Sequence, residues 1–299
     1  MRASLELALL CIAAVELIRL PGQVAAQWIE QLPRTVRDSI LWSADHEEGA
    51  LDDWTAPGSR MPGGGVLNTG EPDASAQATT EVTHSGRYAA AAFIRGAKRG
   101  REGPRAVRLM RWTDKPWDQG GASFPTEAYY STWAYFPRTF NPNKYAPWDP
   151  GDGGWWIVFQ FKAHDDQDVS QPVWALNVFH DDRTKRMHFY LFSPANGSRS
   201  VEQSVPRPIP VRQWVHLEAY YRVSAAKEGA ITVWQDGHRI LHAHGVRTAV
   251  SSQREQAVWG IGSYTDHIAG DTEIGTATVY FDDAVVSTRR VSETLPDGR

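Results

Sequence analysis

The sequence predicts an all-β protein built as a two-sheet antiparallel sandwich. Three observations point there. Short runs of alternating apolar and polar residues recur between about residues 105 and 287, and long helical periodicity is absent. Turn pairs fall between the runs, at Gly120-Gly121, Asn141-Pro142, Pro150-Gly151, Asn196-Gly197 and Asp236-Gly237. A content of 25 glycines and 18 prolines suits a turn-rich chain better than a helical one.

Composition narrows the class further. Hydrophobic residues make up 41% and charged residues 22%, which excludes a wholly disordered chain. Basic and acidic residues nearly balance, 31 against 35, so no basic excess draws the protein to nucleic acid. Cys11 is the single cysteine, which excludes an intrachain disulfide and any Cys/His zinc spacing. The chain of 299 residues is long enough to be held by its core instead.

The elements follow in order. Residues 1–26 have a positive start at Arg2, an apolar run from Leu7 to Val15 and small residues at Val24-Ala25-Ala26. That is the layout of an export signal cleaved after Ala26, and it predicts a secreted or periplasmic protein. Glu6, Glu16 and Arg19 leave open a short amphipathic helix capping the domain. The run is too short to span a membrane, and no later segment is long and apolar enough. Residues 27–41 form a leader or short helix, 42–290 the sandwich domain and 291–299 a tail. Expected strands are Arg105–Trp112, Tyr129–Phe136, Trp155–Ala163, Val173–Phe179, Met187–Phe192, Trp214–Val223, Ala230–Gln235, Val258–Tyr264 and Thr276–Ser287.

Strand period two sorts side chains by face. In 155–164 the odd positions Trp155, Ile157, Phe159, Phe161 and Ala163 read as core. The even positions Trp156, Val158, Gln160, Lys162 and His164 read as the other face. In 187–192, Met187, Phe189 and Leu191 are core, and His188 and Tyr190 oppose them. In 214–223 the even face carries Trp214, His216, Glu218, Tyr220 and Arg222. His216 and Glu218 form either an acid/base pair or an exposed cross-strand polar pair. Aromatics mixed with His, Gln and Arg fit a sugar-binding groove better than a solvent face, because flat rings stack on pyranose C–H faces. Trp156, Trp174 and Tyr190 are the stacking candidates, and a core position is the competing reading for each tryptophan.

The ordered set YYSTWAYFP, WWIVFQFK, QPVWALNVF, VRQWVHLEAYYRVS, GAITVWQDGHRI, WGIGSYTDHI and VYFDDAVVS resembles the heparin-lyase-like and alginate-lyase-like polysaccharide lyases. The resemblance runs from about Arg105 to Ser287 and implies a jelly-roll sandwich of the concanavalin-like type. It implies cleavage of a uronic-acid polymer by β-elimination. Such a reaction needs groups that neutralise the C5 carboxylate, a base for the C5 proton and an acid for the leaving oxygen. By position, Gln160 matches the family's carboxylate-holding amide. Lys162 stands where the family has His, so the base is Lys162 or one of His164, His180 and His188. Tyr264, in Gly262-Ser263-Tyr264, matches the acid and is a further candidate base. The family's Arg-x-Glu-x-Arg strand has only a partial counterpart in Arg105, Arg108 and Arg111, without the Glu. Arg105 and Arg108 are the candidate substrate-binding cations.

Other chemistries lack their signatures. No Glu-x-Asp-x-Glu strand supports ordinary glycoside hydrolysis, and HDDQD at 164–168 reads as a polar turn. No Gly-x-Ser-x-Gly elbow is present, and MPGGG at 61–65 reads as a flexible loop. No cofactor is required. Asp45, Glu47, Asp282 and Asp283 carry hard oxygen donors on the first and last strands, which suits a structural Ca²⁺ or a pair of solvated turns. The expectation is thus an exported, monomeric, polysaccharide-directed lyase. The alternatives are a non-catalytic carbohydrate-binding module and a structural domain without a sugar site.

Overall fold

The computed structural model describes residues 27–96, 104–138, 155–164, 170–181, 186–250, 257–265 and 275–292. The segment read as an export signal lies outside them. Two antiparallel sheets form the sandwich. The outer sheet runs β13 (His238–Val246), β12 (Gly229–Gln235), β11 (Trp214–Arg222), β6 (Glu127–Tyr135), β15 (Thr276–Ser287), β4 (Ala89–Arg95) and β3 (Ala74–Thr79). β1 (Ile40–Ala44) pairs with the end of β15. The second sheet runs β10 (Arg199–Val201), β9 (Arg186–Ser193), β8 (Ser170–Asp181), β7 (Trp156–His164), β14 (Val258–Thr265), β5 (Arg105–Arg111) and β2 (Gly64–Thr69).

The core lies between them and is rich in aromatic rings. Phe161 of β7 stacks on Tyr221 of β11 with centroids 3.7 Å apart, and Tyr130 of β6 meets Phe161 at 5.0 Å. Trp259 closes on Tyr130 at 5.6 Å and on Trp54 at 5.8 Å. Burying rings of this size supplies a large share of the hydrophobic driving force. In β11 the inward residues are Val215, Leu217, Ala219 and Tyr221, as alternation predicts.

Alternation fails in β7, and the failure shapes the molecule. The register of β7 against β8 pairs Ile157 with Asn177 and Phe159 with Leu176, which leaves Val158 as an extra residue. Against β14, Ile157 pairs with Tyr264 and Phe159 with Ile261, so Gly262 and Ser263 face Val158. Such a bulge flips the parity of every later side chain. Trp156, Val158, Phe159, Phe161 and Ala163 therefore all enter the core, at 2% exposure or less. This corrects the expectation that Trp156 shares a face with Gln160 and that Trp155 and Ile157 are core. The Trp156 indole N–H donates to Ser263 Oγ at 2.9 Å inside the sandwich. Trp174 is likewise core, fully buried, with its indole donating to the Arg247 carbonyl at 3.0 Å. A second irregularity, where Phe161 pairs with Trp174 but Lys162 with Pro172, sets that orientation.

The N-terminal residues 27–41 fold onto the outer sheet. α1 (Trp28–Gln31) and α2 (Arg34–Arg37) bring Trp28, Leu32 and Val36 against Val285 and Val291 in a second apolar cluster. Beneath it, His216 and Glu218 are fully buried, which corrects the reading of an exposed pair. Glu218 accepts hydrogen bonds from the Val291 amide at 2.6 Å and the Arg290 guanidinium at 3.3 Å. His216 packs against Trp28 at 5.5 Å and Trp133 at 5.0 Å. Burial first, and then His84 and Arg290, pull its pKa from 6.5 to about 3.

Two predictions follow from these contacts. A Cβ at Gly262 would stand 2.0 Å from the Val107 carbonyl oxygen, whereas one at Gly65 would meet nothing within 4 Å. Denaturant unfolding is expected to show Gly262→Ala destabilised by about 2 kcal/mol or more and Gly65→Ala nearly neutral. His216 is neutral when folded and takes a proton below pH 6.5 when unfolded. Its contribution is whole above that pH and is lost as the pH falls toward about 3, by up to about 1.4 kcal/mol per pH unit. Unfolding midpoints of His216→Leu should therefore fall less steeply with acid than those of the wild type.

Candidate active site

The outward face of the second sheet holds a cavity of about 490 Å³. Arg108, Trp155, Ile157, Gln160, Lys162, Pro172, Ala175, Asn177, Tyr190, Phe192, Pro194 and Tyr264 line it. The bulge assembles this set. Before it, odd residues Trp155 and Ile157 face the cavity; after it, even residues Gln160 and Lys162 do. On β14, Trp259, Ile261 and Ser263 reach the core, so Tyr264, of opposite parity, faces the same cavity.

Gln160, Lys162, Tyr264, Arg108 and Tyr190, all singled out from the sequence, converge here. The Arg108 guanidinium lies 4.5 Å over the Tyr264 ring and donates through Nη1 to Thr69 Oγ1 at 3.1 Å. A cation over an aromatic face is favourable by about 0.5–2 kcal/mol. Burial lowers the Arg108 pKa, and Tyr264 opposes that shift. Burial, with Arg108 adding repulsion, also lowers the Lys162 ammonium below its ordinary 10.5. Among the described residues no carboxylate lines the cavity, so both cations face it without a counter-charge in its wall. Gln160 is 5% exposed, and the Asn177 side chain donates through Nδ2 to the Ala175 carbonyl at 3.2 Å. That bond fixes the amide with its oxygen free for the cavity.

Aromatic rings form the walls. Trp155 meets Tyr264 edge-on at 5.0 Å, and Tyr190 meets Phe179 edge-on at 6.2 Å. Burial, and then the charge of Glu202, push the Tyr190 phenol up to about 12. These rings, with Phe192, supply the flat surfaces that Trp156 and Trp174 do not.

Other sequence-derived candidates sit elsewhere. Arg105 turns away and pairs with Asp73 at 3.6 Å, and Arg111 is buried, donating to the Thr113 and Pro62 carbonyls. His188 shares the outward face of β9 with Tyr190 but lies beyond the cavity lining, 4.0 Å from the Glu202 carboxylate. The side chain of His164 lies outside the described residues. Trp155, Asn177 and Phe192 went unselected because strict alternation gave Trp155 to the core and no motif marked the other two.

The four acids considered for calcium face protein donors. Glu47 accepts the Arg87 and Tyr88 amides at 2.8 and 3.0 Å, and Asp45 accepts the Glu47 amide at 3.1 Å. Asp282 accepts the His84 amide at 2.8 Å, while Asp283 accepts the Ser85 hydroxyl at 3.0 Å and lies 2.7 Å from His84 Nδ1. Among the described residues no group of three or more His, Cys, Asp or Glu is placed to hold a metal ion. No helix of the described residues is long and apolar enough to cross a membrane.

Comparison with known proteins gives a consistent picture. The family model described as polysaccharide lyase matches residues 46–285. No curated protein matches the chain in sequence. Among solved structures, an endo-β-1,4-glucuronan lyase from the fungus Trichoderma reesei superposes with a TM-score of 0.56 at 13% identity, covering 84% of this chain and 96% of that one. The marine alginate lyase from Aplysia kurodai gives 0.49 at 12% identity, covering 84% and 100%. At this identity the superposition on the glucuronan lyase shows a shared fold.

Proposed function

The chain belongs to the polysaccharide lyase family, and from that premise we propose that it cleaves a uronic-acid polysaccharide by β-elimination. One observation carries the reading: Arg108 and Lys162 share a cavity with Gln160, Asn177 and Tyr264, and no carboxylate of the described residues lines it. Such a wall is complementary to an anion and repels nothing on it. A glycosidase would need two carboxylates at that place.

The roles follow from the chemistry. Arg108 and Gln160 hold the uronate carboxylate and draw its charge, which makes the C5 proton acidic. Lys162 takes that proton in its unprotonated form, which burial and the neighbouring Arg108 favour. The electron pair forms the C4=C5 double bond, the C4–O bond breaks, and the Tyr264 phenol gives its proton to the departing oxygen. Water then returns Lys162 and Tyr264 to their starting states. Two features favour Lys162 as the base: its position beside Gln160 on one strand face, and burial that holds its pKa down. Residues 1–26 support export of the protein before it meets its polymer.

Two measurements test this. Ultraviolet absorbance of the unsaturated uronate is expected to rise when the protein meets glucuronan or alginate, and Tyr264→Phe should reduce the rate about 10²–10⁴-fold. Retention in a polysaccharide affinity gel with no absorbance rise on any uronan would instead indicate a binding module. Because the base works unprotonated, kcat/KM should climb with pH through one ionisation below 10.5. Lys162→Ala should remove that limb, and a limb unchanged in the variant would take the role from Lys162.

A further inference from the structure

The cavity is longer than one sugar. β-Pairing sets four of its lining residues in a single cross-strand row: Tyr190 opposite Asn177, Asn177 opposite Ile157, and Ile157 opposite Tyr264. Neighbouring strands lie about 4.8 Å apart, so the two tyrosine backbones stand about 14 Å apart. The Tyr264 ring lies under Arg108 of β5 at 4.5 Å and against Trp155, which precedes β7, at 5.0 Å. Tyr190 is held against Phe179 of β8 at 6.2 Å. That backbone separation is wider than one pyranose ring, so the row has room for more than one unit.

We propose that Tyr190 binds a sugar residue other than the one that reacts, and so sets how the enzyme responds to chain length. This inference rests on the lyase reading. The oligosaccharide lies across the strands, with the reacting uronate between Tyr264 and Gln160 and a further unit at the wall of Tyr190 and Phe192. The Tyr190 phenol is neutral at working pH, so it offers that unit a hydroxyl and a ring face without competing for the carboxylate held by Arg108. Binding energy from a remote unit of this kind is used to position the reacting one.

The test uses length-fractionated oligosaccharides prepared from glucuronan and from alginate, with the wild type, Tyr190→Ala and the ring-preserving Tyr190→Phe. Thermal unfolding first checks that each variant is folded. For the longest fragments Tyr190→Ala should raise KM about tenfold with little change in kcat, and the difference from wild type should shrink as the fragment shortens. Tyr190→Phe should fall between them. A loss in kcat that is equal for short and long fragments would place Tyr190 in the reaction itself and overturn the proposal. If the wild type cleaves nothing, the lyase reading fails on its own, and calorimetric titration of the same fragments decides the subsite. An affinity loss in Tyr190→Ala that grows with length upholds it, and equal affinities overturn it.

Discussion

The parity change at Val158 is the constraint on which the rest of the structure depends. One extra residue in β7, matched by Gly262 and Ser263 in β14, lets a single strand serve two masters. Its core side gains two consecutive residues, Val158 and Phe159, beneath the aromatic stack that joins the sheets. Its outer side gains Trp155 and Ile157 from one phase of the strand and Gln160 and Lys162 from the other. A regular strand could not do both. With Gln160 and Lys162 outward it would turn Trp156 outward as well, and the indole that now bonds Ser263 would leave the core.

The two faces of the molecule treat charge in opposite ways. On the outer sheet, buried polar groups are matched or neutral. Glu218 is met by backbone and guanidinium donors, and His216 stays uncharged under Trp28. The cavity keeps two cations side by side at partial burial, with no acid of the described residues in its wall. Burial opposes the charged form of each, and Arg108 adds to the effect on Lys162. An arrangement of this kind gives up stability in the free protein and recovers it when an anion arrives, which is the usual mark of a site rather than of a scaffold.

Much of this was legible in the sequence. The sandwich followed from turn-punctuated alternation, and Gln160, Lys162, Tyr264, Arg108 and Tyr190 do share one cavity. What escaped had physical causes. β4 is mostly alanine, and β2 and β3 are polar edge segments, so none carries the β-branched pattern that marks a strand. Bulges have no composition signal beyond a nearby glycine, and so Trp155 and Trp156 exchanged places. Arg105 and Arg108 look alike in GPRAVRLMR. Three residues apart on a regular strand, they take opposite faces: Arg105 meets Asp73, and Arg108 faces the cavity. Nor does the sequence reveal which donors the acids near both termini meet: amides for Glu47 and Asp282, and the Ser85 hydroxyl for Asp283.

The central claim is elimination at a uronate held by Arg108 and Gln160, and product mass tests it most directly. A defined uronate oligosaccharide would be cleaved in ¹⁸O-labelled water and the fragments weighed. The account predicts two fragments whose masses sum to that of the parent, with no labelled oxygen in either. Fragments that together exceed the parent by one water, carrying the label, would establish hydrolysis and contradict it.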